Sequence, residues 1–142
     1  MSKNIVTAAT GSSVGEAKEL MKEKRLRHLP IINNAGVIVG IVSKRDLNTF
    51  TSDDIPVEYF MSTPIDFVEQ NSSVRSVILK MLEKKISSVL VSNTNHEVIG
   101  IVTTDDLLWQ LAEILDQHHS LGELFNTQTI GAVVDKLALA GI

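Results

Sequence analysis

Two pairs of polar residues are notable because the same residue types recur at the same spacing. Ser43 is followed three positions later by Asp46, and Thr103 is followed three positions later by Asp106. At a helix start, a carboxylate can accept hydrogen bonds from ligand hydroxyls, and a hydroxyl can lie beside backbone amides that attract anions. The simpler alternative is that each aspartate only caps its own helix. For one pair the two interpretations are balanced, and the repetition favours ligand contact.

The other residues with chemical potential are basic. Arg27 and His28 precede a predicted strand, where they either contact an anionic group or form an exposed charged pair. Lys44 and Arg45 lie inside the first polar pair and are further candidates for phosphate contact. The sequence has no nucleophile–base pair, no HExxH motif and no glycine-rich phosphate loop, so we expect no catalytic residues. Because His118–His119 are adjacent and do not converge on one ion, we expect a solvated loop and no metal site.

The composition narrows the class of function. The net charge is −4 and the 13 lysines and arginines are scattered, so we expect no nucleic-acid partner. There is no cysteine, which excludes thiolate nucleophiles and thiolate metal sites and is compatible with a reducing cytoplasm. No apolar run is long enough to cross a bilayer. We therefore expect a cytoplasmic protein without a membrane partner.

An internal repeat positions the polar pairs. When the chain is displaced by sixty residues it matches itself, with Gly40–Val42 over Gly100–Val102 and Asp46–Leu47 over Asp106–Leu107. A repeat of this period is one supersecondary unit used twice, and each copy buries a face against the other. Two related copies also create two related clefts. This arrangement favours ligand binding over catalysis.

Within each copy, the hydrophobic periodicity predicts a helix, two strands and a second helix, after an extended segment. Ser13–Glu16 has the pattern of a capping box at the start of the first helix. The predicted organisation is repeat 1 at 1–50, a connecting segment at 51–60, repeat 2 at 61–116 and a C-terminal loop and amphipathic helix at 117–142. We expect these parts to form one compact module.

These residues resemble the tandem form of the CBS domain family, named after cystathionine β-synthase. The family's closing signature, which runs from a glycine through Ser or Thr to Asp, appears at Gly40–Asp46 and Gly100–Asp106. Its basic pair before an apolar-Pro-apolar strand appears at Arg27–Ile31. The resemblance implies an α/β (α+β) fold of two pseudo-symmetric β-α-β-β-α repeats packed sheet to sheet, to which residues 117–142 add a helical extension.

The resemblance also implies a function. Such modules are non-catalytic regulators that bind adenosine ligands between the repeats and signal by a conformational change. The implied ligand is AMP, ADP or ATP, with S-adenosylmethionine as the alternative, and no cofactor is required. The implied partners are a second copy in a homodimer and an unidentified regulated protein. A dimeric interaction scaffold with vestigial clefts is the rival interpretation.

The resemblance assigns the ribose to the signature aspartates and the phosphates to the signature hydroxyls. Because Ser87 and Ser88 stand where the first repeat has Arg27 and His28, we expect the two clefts to differ. The stronger nucleotide cleft is expected to contain Thr103, Asp106, Ile65, Asp66, Ile86, Ser87, Arg27 and His28. The weaker is expected to contain Ser43, Asp46, Ile5, Val6, Leu26 and Ser88. Asp66 departs from the family pattern, because an acid there repels phosphate but can accept a hydrogen bond from the adenine amino group.

Overall fold

Each repeat forms a three-stranded sheet with a helix between its first two strands. The protein is represented by a computed structural model that describes residues 5–48, 52–118 and 130. In the first repeat, β1 pairs in parallel with β2, and β2 pairs antiparallel with β3. The elements are β1 (Ala8–Ala9), α1 (Val14–Lys24), β2 (His28–Ile32), β3 (Ile38–Ser43) and α2 (Lys44–Asn48).

The second repeat has the same order, pairing and register. Here β4 pairs in parallel with β5, and β5 pairs antiparallel with β6. His28 lies opposite Ser43 in one sheet, and Ser88 lies opposite Thr103 in the other. The elements are β4 (Phe67–Glu69), α3 (Val74–Lys84), β5 (Ser88–Ser92), β6 (Val98–Thr103) and α4 (Thr104–Gln117). The predicted α/β architecture is therefore confirmed.

The chain divides into two units, Met1–Thr103 and Thr104–Ile142. The first unit contains both sheets with α1, α2 and α3, and the second contains α4. The predicted boundaries near residues 50, 60 and 116 remain predictions. The predicted C-terminal helix and His119 lie outside the described residues, apart from Ile130.

Local side-chain chemistry explains why both repeats fold in the same way. Ser13 Oγ accepts from the Glu16 amide and the Glu16 carboxylate accepts from the Ser13 amide, each at 3.1 Å, so the predicted capping box is confirmed. Ser73 caps α3 in the same position. Both hairpins turn on an asparagine, Asn33 or Asn93, whose side-chain oxygen accepts two backbone N–H groups. These local bonds hold each strand pair in register.

The connecting segment packs against the start of α1. The Val14 amide donates to the Ile55 carbonyl at 2.8 Å. A Cβ on Gly15 would lie 2.9 Å from the Cβ of Asp53, so the close approach of the two backbones requires glycine here. A single 3₁₀ turn, Val57–Phe60, follows, and Val57 is completely buried. The segment thus completes the core of the first repeat.

The first residues of α1 and α3 differ in burial, because the connecting segment covers the start of α1. Val14 on α1 is 0% exposed, whereas its counterpart Val74 on α3 is 58% exposed. The buried cluster accordingly lies in the first repeat and the connecting segment, and consists of Ala8, Val14, Ala17, Met21, Leu29, Ile31, Val42, Leu47 and Val57. In the second repeat, the buried apolar residues are Val77, Met81, Val89, Leu90 and Val91.

Candidate functional site

A cleft of about 400 Å³ lies between the two repeats, within the first unit. Its volume falls in the range of small-molecule sites. The first repeat contributes the first residue of β2 and residues of β3 and α2, and the second contributes the segments that precede β4 and β5 and the first residue of β5. The lining residues are His28, Ile41, Ser43, Arg45, Asp46, Ser62, Pro64, Ile65, Asp66, Lys85, Ile86, Ser87 and Ser88.

The start of the second repeat is bonded to the sheet of the first. Ser62 donates its amide to the Ile41 carbonyl at 2.8 Å, and the Ile41 amide donates to the Ser62 carbonyl at 3.3 Å. Gly40 makes the approach feasible, because a Cβ there would lie 2.6 Å from Cγ of Met61. This contact places Ile65 and Asp66 beside the end of β3. It is the reason why residues of both repeats share the cleft.

Ser43 and His28 occupy the β3 side of the cleft. They are opposite each other in the strand pair, and Ser43 Oγ accepts from the Asp46 amide at 3.1 Å. Ser43 therefore caps α2, whereas the simpler interpretation of the polar pair gave the capping role to the aspartate. His28 Nε2 lies 2.9 Å from Ser87 Oγ, which joins the two repeats across the cleft. Ser43 and His28 therefore line the cleft and also stabilise the segments around it.

Asp66 is held by an ion pair that the sequence analysis did not predict. Its Oδ1 accepts a short hydrogen bond from Lys84 Nζ at the end of α3. The backbone of Asp66 is also fixed, because its carbonyl accepts from the Leu90 amide at 3.0 Å. The Asp66 side chain is only 17% exposed, against 53% for Lys84. The negative charge of Asp66 is therefore offset by the positive charge of Lys84.

The remaining formal charges in the lining favour an anion. Arg45 and Lys85 each bring one positive charge, and Asp46 brings one negative charge. Lys85 caps the C-terminus of α3 in the left-handed conformation, with φ of 55° and its amide donating to the Leu82 carbonyl at 3.3 Å. This turn directs the chain into Ile86 and β5. Lys85 was not a candidate because nothing in its spacing distinguishes it from other helix-end lysines.

The structure groups the candidate residues differently from the sequence analysis. The sequence analysis placed Ile65, Asp66 and Ile86 with Thr103 and Asp106 of the same repeat. They line a cleft with Ser43 and Asp46 instead, because the strand contact at Ser62 crosses between repeats. Further candidates in this cleft are His28, Ser87, Ser88 and Arg45, and further lining residues not predicted are Ile41, Ser62, Pro64 and Lys85.

The remaining candidate residues from the sequence analysis are not among the residues that line this cleft. Thr103 is the last residue of β6, opposite Ser88, and Asp106 lies in the first turn of α4. Arg27 and Lys44 are exposed, and the Arg27 carbonyl accepts from the Lys44 amide at 2.7 Å. Val6 and Leu26 pack against the buried cluster of the first repeat. Ile5 lines a second cleft of about 520 Å³, together with Thr7, Ile32, Gly36, Val37, Ile38, Phe67, His96 and Val98.

The part of the chain that the structure describes contains neither a cluster of metal ligands nor a helix able to span a membrane. Within residues 5–48, 52–118 and 130, no three His, Cys, Asp or Glu side chains come together as metal ligands. In the same part of the chain, no helix has the length and hydropathy needed to span a bilayer.

Solved structures with the same fold include CBS domain pairs. An uncharacterized conserved protein from Pyrococcus horikoshii is 31% identical, with 78% of this chain and 86% of that chain covered at a TM-score of 0.70. The CBS domain pair of protein MJ0100, in complex with 5′-methylthioadenosine and S-adenosyl-L-methionine, is 28% identical. That alignment covers 80% of this chain and 92% of the other at a TM-score of 0.71.

Curated relatives match the same region inside much longer proteins. L-aspartate semialdehyde sulfurtransferase of Methanocaldococcus jannaschii is 30% identical over 108 residues, which cover 75% of this chain and 21% of that protein. Homoserine O-acetyltransferase of Methanosphaera stadtmanae is 33% identical over 105 residues, or 73% of this chain and 21% of that protein. The chain thus spans about a fifth of the length of these relatives. Because the CBS domain family model matches residues 1–52 and 54–113, the chain belongs to the CBS domain family.

Proposed function

We propose that this chain is a regulatory module that binds an adenosine nucleotide, AMP, ADP or ATP, in the cleft between its repeats. The observation that supports this most directly is the composition of that cleft. It combines the signature residues Ser43 and Asp46 of one repeat with the apolar side chains Ile65 and Ile86 of the other. A polar end and an apolar wall in one cleft suit a nucleoside better than a uniformly polar or apolar ligand.

In the proposed complex, the Asp46 carboxylate accepts hydrogen bonds from the ribose hydroxyls, which are charge-assisted and therefore strong. The base packs against Ile65 and Ile86. The phosphate lies toward Arg45 and Lys85, whose charges exceed that of Asp46 once Asp66 is paired with Lys84.

We propose a binding role and no catalytic one. The lining residues combine hydroxyls, carboxylates and cations without a nucleophile beside a general base. In the enzymes that match this chain, the matched region makes up about a fifth of the length. The other four-fifths of each enzyme can therefore contain its catalytic residues. A ligand can transmit a signal here only if it binds one arrangement of the repeats better than another. The homodimer, the regulated protein and a cytoplasmic location also remain proposals.

A second candidate ligand class is S-adenosylmethionine or 5′-methylthioadenosine. It is favoured by the similarity to the MJ0100 domain pair, whose structure contains both molecules. These ligands share the ribose and the adenine but lack phosphate, and S-adenosylmethionine carries a sulfonium cation. Arg45 and Lys85 would repel that cation. The charge of the cleft therefore favours nucleotides, and the comparison favours the sulfur-containing ligands.

The test is a calorimetric titration of protein stripped of carried-over ligand with ATP, ADP, AMP, 5′-methylthioadenosine and S-adenosylmethionine. We expect AMP to bind more tightly than 5′-methylthioadenosine, and Asp46→Asn to weaken both. Arg45→Gln should weaken the nucleotide alone. Glu19→Gln, an exposed carboxylate on α1, is the matched control and should change neither. Absence of binding by all five ligands would leave the interaction scaffold as the better interpretation.

A further inference from the structure

We infer that two copies of this chain associate with their second repeats facing each other, through an exposed apolar face of α3. This face, named here the α3 face, consists of Val74, Ile78, Leu79 and Leu82. The inference rests on the homodimer that is part of the proposed function, and it does not depend on the ligand. It adds the surface by which the two copies meet and their relative orientation.

The helix α3 has apolar side chains in two places. Val77 and Met81 are buried and belong to the side of the helix that packs within the second repeat. The α3 face forms a separate row, because three of its four members follow one another at four-residue intervals. Its side chains are between 37% and 68% exposed in the part of the chain that the structure describes. Contiguous exposed apolar side chains of this kind are typical of an interaction surface.

The first repeat has charged residues where the second has the α3 face. The sixty-residue offset places Lys18, Glu19 and Lys22 of α1 at the positions of the last three members of the face. Lys18 forms an ion pair with Asp53 at 2.9 Å. Because α1 folds with charged residues at these positions, the architecture of a repeat does not require apolar side chains there. The apolar residues of α3 therefore indicate a contact that α1 does not make.

This difference between the repeats favours one orientation of the two copies. If α3 met α1 of a second copy, the α3 face would pack against Glu19 and Lys22, and removing these charges from water is costly. The α3 helix of a second copy presents the same four apolar side chains instead. Contact between identical surfaces around a two-fold axis is the commonest arrangement of homodimers. The second repeats of the two copies should therefore face each other.

Charged residues on α3 favour antiparallel pairing of the two helices. Arg75 lies in the first turn of α3 and Glu83 lies near its C-terminus, and both are exposed. An antiparallel pair brings Arg75 of each copy beside Glu83 of the other and beside the negative end of its helix dipole. A parallel pair would bring the two Arg75 side chains together, and like charges repel. The α3 face is thus complementary to itself in both apolar surface and charge.

The test is the oligomeric state of the full chain, measured by sedimentation velocity over a series of concentrations. We expect a dimer that dissociates on dilution, because a contact through one helix of each copy is small. Leu82→Lys should raise the dissociation constant at least about tenfold, since the ammonium group would be enclosed by apolar side chains of the other copy. Val37→Lys is the matched control, because it changes an exposed valine between β2 and β3, and it should leave the constant unchanged. Circular dichroism verifies that both variants fold.

Charge reversal tests the orientation of the two copies. Arg75→Glu and Glu83→Arg should each weaken the dimer about three- to tenfold, because two ion pairs are lost in each dimer. The two changes together should return the dissociation constant to within about threefold of its natural value, since the pairs re-form with their charges exchanged. The two residues are eight positions apart, or about 12 Å along the helix, so they cannot pair within one copy. Restoration therefore reports a contact between copies.

The possible outcomes separate the inference from the homodimer itself. A dimer whose dissociation constant is unchanged by Leu82→Lys overturns the inference, and the homodimer then stands on a different surface. Failure of the double charge reversal to restore association overturns the antiparallel pairing of α3. A natural protein that stays monomeric at every concentration removes the homodimer and the inference together, whereas the proposed binding of a nucleotide is still tested by the calorimetric titration.

Discussion

Replacing Gly40 with alanine should damage the junction between the two repeats. The added Cβ would lie 2.5 Å from Sδ, 2.6 Å from Cγ and 2.9 Å from Cβ of Met61. The first two atoms can move by rotating the methionine side chain, but the Cβ of Met61 moves only with its backbone. The backbone of Gly40 itself does not have a positive φ, so alanine adds no backbone strain of its own. The three atoms nearest to the added Cβ all belong to Met61, so we expect the cost to arise there.

The magnitude follows from two terms. Overpacking in a close-packed region costs about 1–3 kcal/mol. If the Met61 backbone shifts, the two hydrogen bonds between Ile41 and Ser62 weaken, and each contributes about 1 kcal/mol. We therefore expect Gly40→Ala to lower the free energy of unfolding by about 2–4 kcal/mol. Since small domains have total stabilities of about 5–15 kcal/mol, the variant should still fold.

The assay is urea denaturation followed by circular dichroism, in a cycle with Met61→Gly. That second variant removes the three atoms nearest to the added Cβ, so Gly40→Ala in its background should cost less than about 0.5 kcal/mol. Nucleotide affinity should fall in the single Gly40→Ala variant, because Ile65 and Asp66 follow the displaced segment. An equal cost of Gly40→Ala in both backgrounds would refute the argument that Met61 approaches too closely for a Cβ.

Five further substitutions test the packing and the junction, each by urea denaturation. Val14→Ala should cost about 2 kcal/mol, whereas Val74→Ala should change stability by less than about 0.5 kcal/mol, because the two valines are 0% and 58% exposed. Ser13→Ala should cost about 1 kcal/mol, since it removes the side-chain cap of α1. Ser87→Ala should cost about 0.5–1.5 kcal/mol by removing the partner of His28 Nε2, and His28→Ala with Ser87→Ala should be less than additive.

Contrary results would be informative in each case. Equal costs at Val14 and Val74 would mean that the connecting segment does not cover α1. A neutral Ser13→Ala would mean that the Glu16 carboxylate alone satisfies the helix start. Strict additivity of His28→Ala and Ser87→Ala would show that the two side chains do not interact in solution.

Most of the architecture followed from short-range signals in the sequence. The capping box at Ser13 and the asparagine turns depend on residues at most four positions apart, so their spacing can be recognised along the chain. The sixty-residue repeat then predicted that the second sheet would copy the first. The register of His28 with Ser43 and of Ser88 with Thr103 agrees with that copying.

The sequence predicted many of the residues that line the cleft, but it assigned them to two different clefts. Ser43, Asp46, Ile65 and Ile86 were all candidates, yet the structure places them in one cleft instead of two. A repeat shows which residues are equivalent, but it does not show which copy supplies each wall of a cleft. That depends on the contact of Ser62 with β3, which leaves no periodic signal in the sequence.

The sequence by itself therefore determined the elements, their order and the residue types available for binding, because caps, turns and hydrophobic periodicity act over a few residues. Only the tertiary structure decided which of these residues meet. Lys84 pairs with Asp66 from eighteen positions away, and Val14 and Val74 differ in burial although they are equivalent in the repeat. In each case the outcome depends on how distant segments pack, and packing distance is not encoded at any fixed spacing along the chain.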